Sequence, residues 1–322
     1  MTDTKLILVG GMSGSGKSTL SQATSRELSR QGVDNVWLHE EMADHPIRSR
    51  EFGIGSLYDE SDFRENVDRL LSDWRRLVAE IASAGRIYVM EGCLYQNIIR
   101  YFYEADYPEE RIVDFYTRLF EILEPIDPTL VLLYSPDARL TLESVFEERG
   151  EWWRELILDP GECRYVKNRQ LVGAEGIYEM WRAYQELAKR IHGTIGRRSL
   201  FFDVVAEDRG TFLARTMNAL DLAPPDALAP TEGSADEMRL IGRYVDPQDE
   251  SQTIEVRRDE GGLYCRAFWQ RMPLVRIQDD RYYISSFPIE LSFVPVDGRT
   301  TVTLSGNYDW ELVGKSLVRE TG

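Results

Sequence analysis

The stretch "GGMSGSGKST", residues 10 to 19, constrains the fold of this chain more than any other part of its sequence. It follows the apolar run "LILV" and precedes a segment of helical periodicity, which is the context of a phosphate-binding loop. Its glycines let successive backbone N–H groups point inward, and the following helix adds its positive N-terminal dipole. The residues predicted to bind a nucleoside triphosphate are Gly11, Ser13, Gly14, Ser15, Gly16, Lys17, Ser18 and Thr19.

Two side chains of this motif have separate expected roles. Lys17 is predicted to reach the β- and γ-phosphates, and the Ser18 hydroxyl is predicted to ligate Mg²⁺. ATP and Mg²⁺ are therefore the expected cofactors, with the choice between ATP and GTP left open.

Two other nucleotide-binding classes do not fit. The only D-x-x-G is "DEGG" at residues 259 to 262, far from the loop, and the guanine-reading N-K-x-D is absent, which disfavours a GTPase. The stretch "TLSGN" at residues 303 to 307 is an incomplete transporter-ATPase signature.

Composition narrows the partners and the location. A formal net charge of −17 disfavours a protein that binds nucleic acid through its phosphates. No apolar run is long enough for a signal peptide or a membrane span, so we expect a cytoplasmic protein without membrane contact. Three separated cysteines suggest neither disulfides nor a zinc ribbon, and they are Cys93, Cys163 and Cys265.

The pattern of the chain changes once along its length. Residues 1 to 222 alternate β-rich runs with amphipathic segments, which predicts a doubly wound α/β domain: a parallel sheet with helices on both faces. Residues 223 to 236 contain three prolines and are predicted to be a linker. Residues 237 to 322 alternate with a period of two and predict a small antiparallel β domain. The expected parallel strands are "KLILVG", "NVWLH", "RIYVME", "TLVLLYS" and "SLFFDVV".

The C-terminal domain is rich in aromatic residues and resembles the small lipocalin-like modules that follow some bacterial enzymes. It contains no cluster of residues typical of catalysis. We hypothesise that it supports formation of a homodimer or covers the substrate cleft.

Residues 1 to 222 resemble the deoxynucleoside kinase and thymidylate kinase group of P-loop kinases in the order of their motifs. In that group the second strand leads into an acidic Glu-Pro motif, whose carboxylate takes the proton of the accepting hydroxyl. Here the stretch is "VWLHEEMADHP", and the proline comes only at Pro46. The resemblance therefore implies Glu41 or Glu40 as the base and leaves Asp44 as a further candidate near the substrate.

The third strand, "RIYVMEG", ends in Glu91, where the family has an acidic residue followed by an arginine. The resemblance implies that Glu91 holds Mg²⁺, directly or through water. Gly92 and Cys93 stand where the arginine would follow, which makes a typical nucleoside kinase less expected.

After the fourth strand, "SPDARLTLESVFEERGEWWREL" resembles the arginine-bearing lid helix of these kinases. Arg149 and Arg154 flank Gly150 and are expected to neutralise charge on the transferring phosphoryl group. The same stretch also fits an exposed helix with Glu–Arg pairs.

Polar residues beyond the third strand are candidates for substrate binding, because open α/β sheets bind ligands at the carboxyl edge of the strands. Together the motifs predict a kinase that phosphorylates a hydroxyl of a small molecule: a nucleoside, a nucleoside-like antibiotic or another metabolite. The competing hypotheses are a regulatory nucleotide-binding protein and a protein that sequesters a drug. The candidate substrate residues are Tyr95, Gln96, Asn97, Arg100 and Tyr165.

Overall fold

The computed structural model describes residues 4–47, 59–195, 198–224, 235–267, 270–308 and 310–320. Contacts between Cα atoms divide the chain into two units. The first comprises Met1–Glu40, His45–Glu147 and Glu151–Pro225, and the second comprises Glu41–Asp44, Glu148–Gly150 and Asp226–Gly322. The predicted linker, residues 223 to 236, lies outside the described residues except at its ends.

The first unit is built on a five-stranded parallel sheet with the order β2-β3-β1-β4-β5. The central strand β1 places Val9 opposite Glu91 of β3 and opposite Val131 of β4. The predicted parallel sheet is confirmed. Its strands are β1 (Leu6–Gly11), β2 (Asn35–Leu38), β3 (Ile87–Glu91), β4 (Thr129–Tyr134) and β5 (Ser199–Asp203).

Nine α-helices of the described residues belong to the segments between and after these strands. The longest, α2, has Asp59 as its N-cap, and the carboxylate of this residue accepts hydrogen bonds from two backbone N–H groups of the first turn. The bounds are α1 (Lys17–Arg30), α2 (Glu60–Ser83), α3 (Gln96–Glu104), α4 (Glu109–Leu123), α5 (Ala138–Arg149), α6 (Glu151–Leu158), α7 (Arg164–Asn168), α8 (Gly173–Gly193) and α9 (Phe212–Ala219).

Both faces of the sheet are buried. Successive side chains of a strand point to opposite faces, and Leu6, Ile7, Leu8 and Val9 are all at most 1% exposed. On one face α1 and α9 supply apolar side chains that pack against Ile7 and Val9. A sheet covered on both faces leaves the carboxyl ends of its strands as the place where ligands bind.

The second unit contains a closed eight-stranded antiparallel barrel with the order β10-β11-β12-β13-β6-β7-β8-β9. This architecture is that of a lipocalin-like module, as the sequence predicts. The barrel interior is filled with buried apolar side chains such as Tyr244, Leu291 and Phe293. The strands are β6 (Gly242–Asp246), β7 (Asp249–Asp259), β8 (Gly262–Ala267), β9 (Gln270–Gln278), β10 (Arg281–Ile284), β11 (Ile289–Val296), β12 (Arg299–Gly306) and β13 (Ser316–Arg319).

Among the helices of the described residues, none combines the length and the apolar composition that a membrane-spanning segment needs.

Two glycines of the barrel with positive φ should differ in how much their replacement by alanine destabilises the protein. A Cβ at Gly306 (φ 149°) would lie 2.0 Å from the Pro288 carbonyl oxygen, whereas a Cβ at Gly298 (φ 79°) would meet no atom within 4 Å. We expect Gly306→Ala to lower the free energy of unfolding by about 2–4 kcal/mol, since it adds overpacking to backbone strain. Gly298→Ala, the matched control, should cost about 1 kcal/mol from strain alone.

Urea unfolding followed by circular dichroism would measure both changes. Equal losses in the two variants would contradict the expectation, because the contact with Pro288 would then have no energetic effect.

Candidate active site

The phosphate loop, residues 11 to 18, joins β1 to α1 and needs glycine at several points. Gly14 and Gly16 have φ values of 80° and 93°, in the left-handed region. A Cβ on Gly14 would also lie 2.2 Å from the Val145 Cγ2 atom of α5. The strand–turn–helix context expected from the sequence is therefore present.

This loop presents an anion-binding surface. The first turn of α1 contains no acidic residue, and its N-cap, Gly16, supplies no side-chain hydrogen bond. Unpaired N–H groups of a helix N-terminus attract anions. The Ser15 hydroxyl is buried and has no hydrogen-bond partner among the described residues. Ser13 is half-buried and Thr19 is exposed.

Three charged side chains meet beside the loop. Lys17 Nζ lies 3.7 Å from Glu40 Oε1 and 3.8 Å from Glu91 Oε2. The Glu40 backbone N–H also donates a hydrogen bond of 3.2 Å to Glu91 Oε1. These contacts arise because Glu91 ends β3 and Glu40 follows its neighbour β2 at the same edge of the sheet. We call Lys17, Glu40 and Glu91 the charged triad.

The environment of Glu91 is unusual for a carboxylate. Its side chain is fully buried, with an exposed fraction of 0%. Burial and the adjacent Glu40 charge raise the pKa of Glu91 to about 8, although Lys17 and hydrogen bonds from the Glu40 N–H and the Ser18 hydroxyl act in the opposite direction. His39 also approaches, with Nε2 at 3.4 Å from Glu91 Oε1. Binding of a cation next to Glu91 would therefore favour the ionised form of its carboxyl group.

Ser18 and Glu91 are the pair expected to hold Mg²⁺, and the structure brings them into hydrogen-bond contact. Glu91 Oε2 is buried without a hydrogen-bond donor among the described residues. Across those residues no group of three or more His, Cys, Asp or Glu side chains is arranged to hold a metal by itself. Mg²⁺ commonly uses one or two protein oxygens together with phosphate oxygens and water, so this donor pair fits it.

Gly92 has a role that the sequence does not reveal. Its φ is 75°, and a Cβ at this position would lie 2.0 Å from Glu40 Oε2. The absence of a side chain at Gly92 therefore makes the space occupied by the Glu40 carboxylate. Only its identity as glycine, next to an acidic strand end, could have indicated this.

The other two acidic candidates are placed differently. Glu41 and Asp44 belong to the second unit, while Glu40 belongs to the first. Within the second unit the Tyr308 hydroxyl donates a hydrogen bond to Glu41 Oε2. Asp44 is exposed. The sequence leaves three carboxylates as candidates for the base. Of these three, only Glu40 is part of the charged triad.

The predicted lid region is two helices separated by Gly150, which has a φ of 89°. Arg154 of α6 forms an ion pair with Glu143 of α5, and the Tyr178 hydroxyl donates to the same carboxylate. Arg149 is the last residue of α5 and is half-buried. In this structure Arg154 is therefore held by Glu143, as in the Glu–Arg pairing that the sequence also allows.

Among the candidate substrate residues, Tyr95 and Tyr165 lie in the core. Tyr95 is fully buried, its hydroxyl is 3.0 Å from His192 Nδ1, and its ring leaves no space for a Cβ at Gly10. Tyr165 is 6% exposed and packs edge-on against Tyr103. Both side chains therefore pack in the core of the first unit and expose little surface that a ligand could contact.

The three polar candidates lie on α3. Asn97 is 7% exposed, and Arg100 Nε lies 3.3 Å from Glu104 Oε1. The Gln96 side-chain oxygen is buried without a hydrogen-bond partner in the described residues. Unpaired buried polar atoms are costly in a folded protein, so Gln96 differs from an ordinary helix residue.

No family model matches this chain. No curated protein matches it either. Solved structures that match include a deoxyadenosine kinase from M. mycoides with bound dATP, at 16% identity and a TM-score of 0.38, covering 67% of this chain and 99% of that one.

Two further matched structures are also kinases. A sugar kinase from Janibacter sp. has 15% identity and a TM-score of 0.36, covering 69% of this chain and 96% of that one. A gluconokinase from Sinorhizobium meliloti has 11% identity and a TM-score of 0.34, covering 69% of this chain and 94% of that one. Similarity at this level adds no argument about activity or substrate.

The raised pKa of Glu91 predicts how stability depends on pH without Mg²⁺. Because the folded chain binds this proton more tightly than the unfolded chain, the free energy of unfolding should fall as pH rises from about 5 toward about 8. Because a single proton is involved, the free energy of unfolding should fall by at most about 1.4 kcal/mol per pH unit. Urea unfolding at several pH values would measure it.

Glu91→Gln should remove this slope, while Glu121→Gln, on the exposed side of α4, should keep it. If Glu91→Gln retained the wild-type slope, another group would be responsible for it.

Proposed function

We propose that this protein is an ATP- and Mg²⁺-dependent kinase that transfers the γ-phosphoryl group to a hydroxyl of a small molecule. The observation that supports this most is the charged triad beside the phosphate loop. It combines a cation for the phosphates with two carboxylates, one buried and one next to the loop. Phosphoryl transfer needs positioning, charge neutralisation and a base, and these groups supply all three.

The nucleotide is proposed to bind with its phosphates on the phosphate loop and the N-terminus of α1. Lys17 contacts the β- and γ-phosphates, and the backbone N–H groups surround them. Mg²⁺, held by Ser18 and Glu91, supplies further positive charge to the phosphates when it is bound. His39 lies against Glu91 and fixes the position of that carboxylate.

Glu40 is our proposed general base. Its carboxylate lies beside Lys17, with Oε1 at 3.7 Å from Nζ, and Oε2 is buried without a hydrogen-bond donor among the described residues. The acceptor hydroxyl gives its proton to this carboxylate while its oxygen forms a bond to the γ-phosphorus, and the bond to the ADP oxygen breaks. Arg154 is proposed to neutralise the transferring group, which requires it to leave Glu143.

The acceptor is proposed to be a nucleoside, a nucleoside-like antibiotic or a related hydroxylated metabolite. The polar groups of Gln96, Asn97 and Arg100 on α3 support an acceptor with hydrogen-bonding groups as well as the reacting hydroxyl. A regulatory nucleotide-binding protein is the alternative, and it would bind ATP without phosphorylating an acceptor.

A comparison of two glutamate variants tests the base. Glu40→Gln should lower turnover by roughly two to four decades with little change in ATP affinity, because the amide cannot accept the proton. Glu41→Gln, the neighbouring matched change, should lower turnover by less than about tenfold. ADP release with a phosphorylated acceptor would measure both. If Glu41→Gln lowered turnover more than Glu40→Gln did, Glu41 and not Glu40 would be the general base.

The acceptor itself is identified by a panel assay. ADP release from ATP and Mg²⁺ is followed with nucleosides, nucleoside antibiotics, aminoglycosides and sugars, and mass spectrometry detects the phosphate adduct. Lys17→Ala, the blank, should abolish the signal, since it removes the charge at the phosphates. Tight ATP binding with no adduct across the panel would favour the regulatory alternative.

A further inference from the structure

One arginine outside the charged triad lies beside the phosphate loop. Arg209 follows β5 in a short 3-10 turn, Arg209–Thr211, that is capped by the Asp208 carboxylate. Its Nη1 atom would be 3.9 Å from a Cβ placed on Gly16, the N-cap of α1. Its Nε donates a hydrogen bond of 3.3 Å to the Val204 carbonyl, which orients the guanidinium.

Arg209 is exposed and places a positive charge near the N-terminus of α1. The N-terminus of a helix carries partial positive charge, so a nearby cation raises the free energy instead of lowering it. Across the described residues, Arg209 forms no ion pair with a carboxylate within 4.0 Å. A neighbouring anion would remove this repulsion.

The chain is acidic, with 55 Asp and Glu residues and 38 Lys and Arg residues. The acidic residues next to Arg209 in the sequence nevertheless bind other groups. Glu207 pairs with Arg215 and accepts the Asp203 N–H. Asp208 accepts the Gly210 N–H at 2.9 Å. In an acidic protein, an arginine near a helix N-terminus that pairs with no carboxylate of the described residues is available to bind an anion.

We infer that Arg209 binds the polyphosphate of the nucleotide as a second cation at the phosphate loop. This inference rests on the proposed nucleotide binding and adds a residue to it. The guanidinium lies near Gly16, the residue at which the phosphate loop passes into α1, and the Val204 carbonyl orients it there. Arginine is well suited to phosphate oxygens because it can donate two parallel hydrogen bonds.

Calorimetric titration of the full-length protein in the presence of Mg²⁺ tests the inference. The ligands are ATP, ADP and inorganic tripolyphosphate, which has no base or sugar. Arg209→Ala and Arg209→Gln should weaken all three roughly 10- to 100-fold, since each removes a charge-assisted contact. Arg209→Lys should recover part of the loss by restoring the charge. Arg75→Ala, an exposed arginine of α2, is the matched control and should bind as the wild type does.

Each outcome decides one of the two proposals. If Arg209→Ala and Arg209→Gln bind all three ligands like the wild type, the role of Arg209 is overturned and nucleotide binding stands. If ATP and ADP weaken but tripolyphosphate does not, Arg209 contacts the base or sugar and the phosphate role is overturned. If the wild type binds none of the ligands, the proposed function itself fails, and the inference fails with it.

Discussion

The buried contact between Lys17, Glu40 and Glu91 is the interaction on which the rest of the site depends. Two carboxylates and one ammonium group share a region where the side chains of Lys17 and Glu91 are 8% and 0% exposed. Removing one partner of a buried charged group is strongly destabilising, so the three side chains hold each other in place. The sheet makes this arrangement possible, because β2 and β3 end together at its carboxyl edge.

Much of the first unit could be predicted from the sequence, because strand–turn–helix periodicity and the glycine spacing are local signals. The phosphate-loop motif predicts Lys17 and Ser18, the resemblance to P-loop kinases implies Glu91, and the structure brings the three side chains together. The choice among Glu40, Glu41 and Asp44 could not be made in the same way. The position of the Glu40 carboxylate beside Lys17 requires the absence of a side chain at residue 92, which the periodicity of the sequence does not indicate.

Other contacts of the site could not be predicted from local sequence patterns, because they join residues that are far apart in the chain. Tyr95 follows the third strand, where a substrate residue is expected, yet its ring packs on Gly10 and its hydroxyl contacts His192 from α8. Arg209 lies almost the full length of the domain away from Gly16 in the sequence, and only the folded sheet brings them close. In the second unit, alternation predicted strands, whereas the closure of the barrel depends on β13 pairing with β6.

The contact between Gly14 and α5 bears on how the two helices around Gly150 can move. Val145 and Thr141 of α5 pack against the tip of the phosphate loop, where a side chain at Gly14 would displace them. Gly150, whose left-handed conformation interrupts the helix, separates this packed part of α5 from α6. Rotation about the Gly150 backbone would therefore move Arg154 without disturbing the packing of α5 on the phosphate loop.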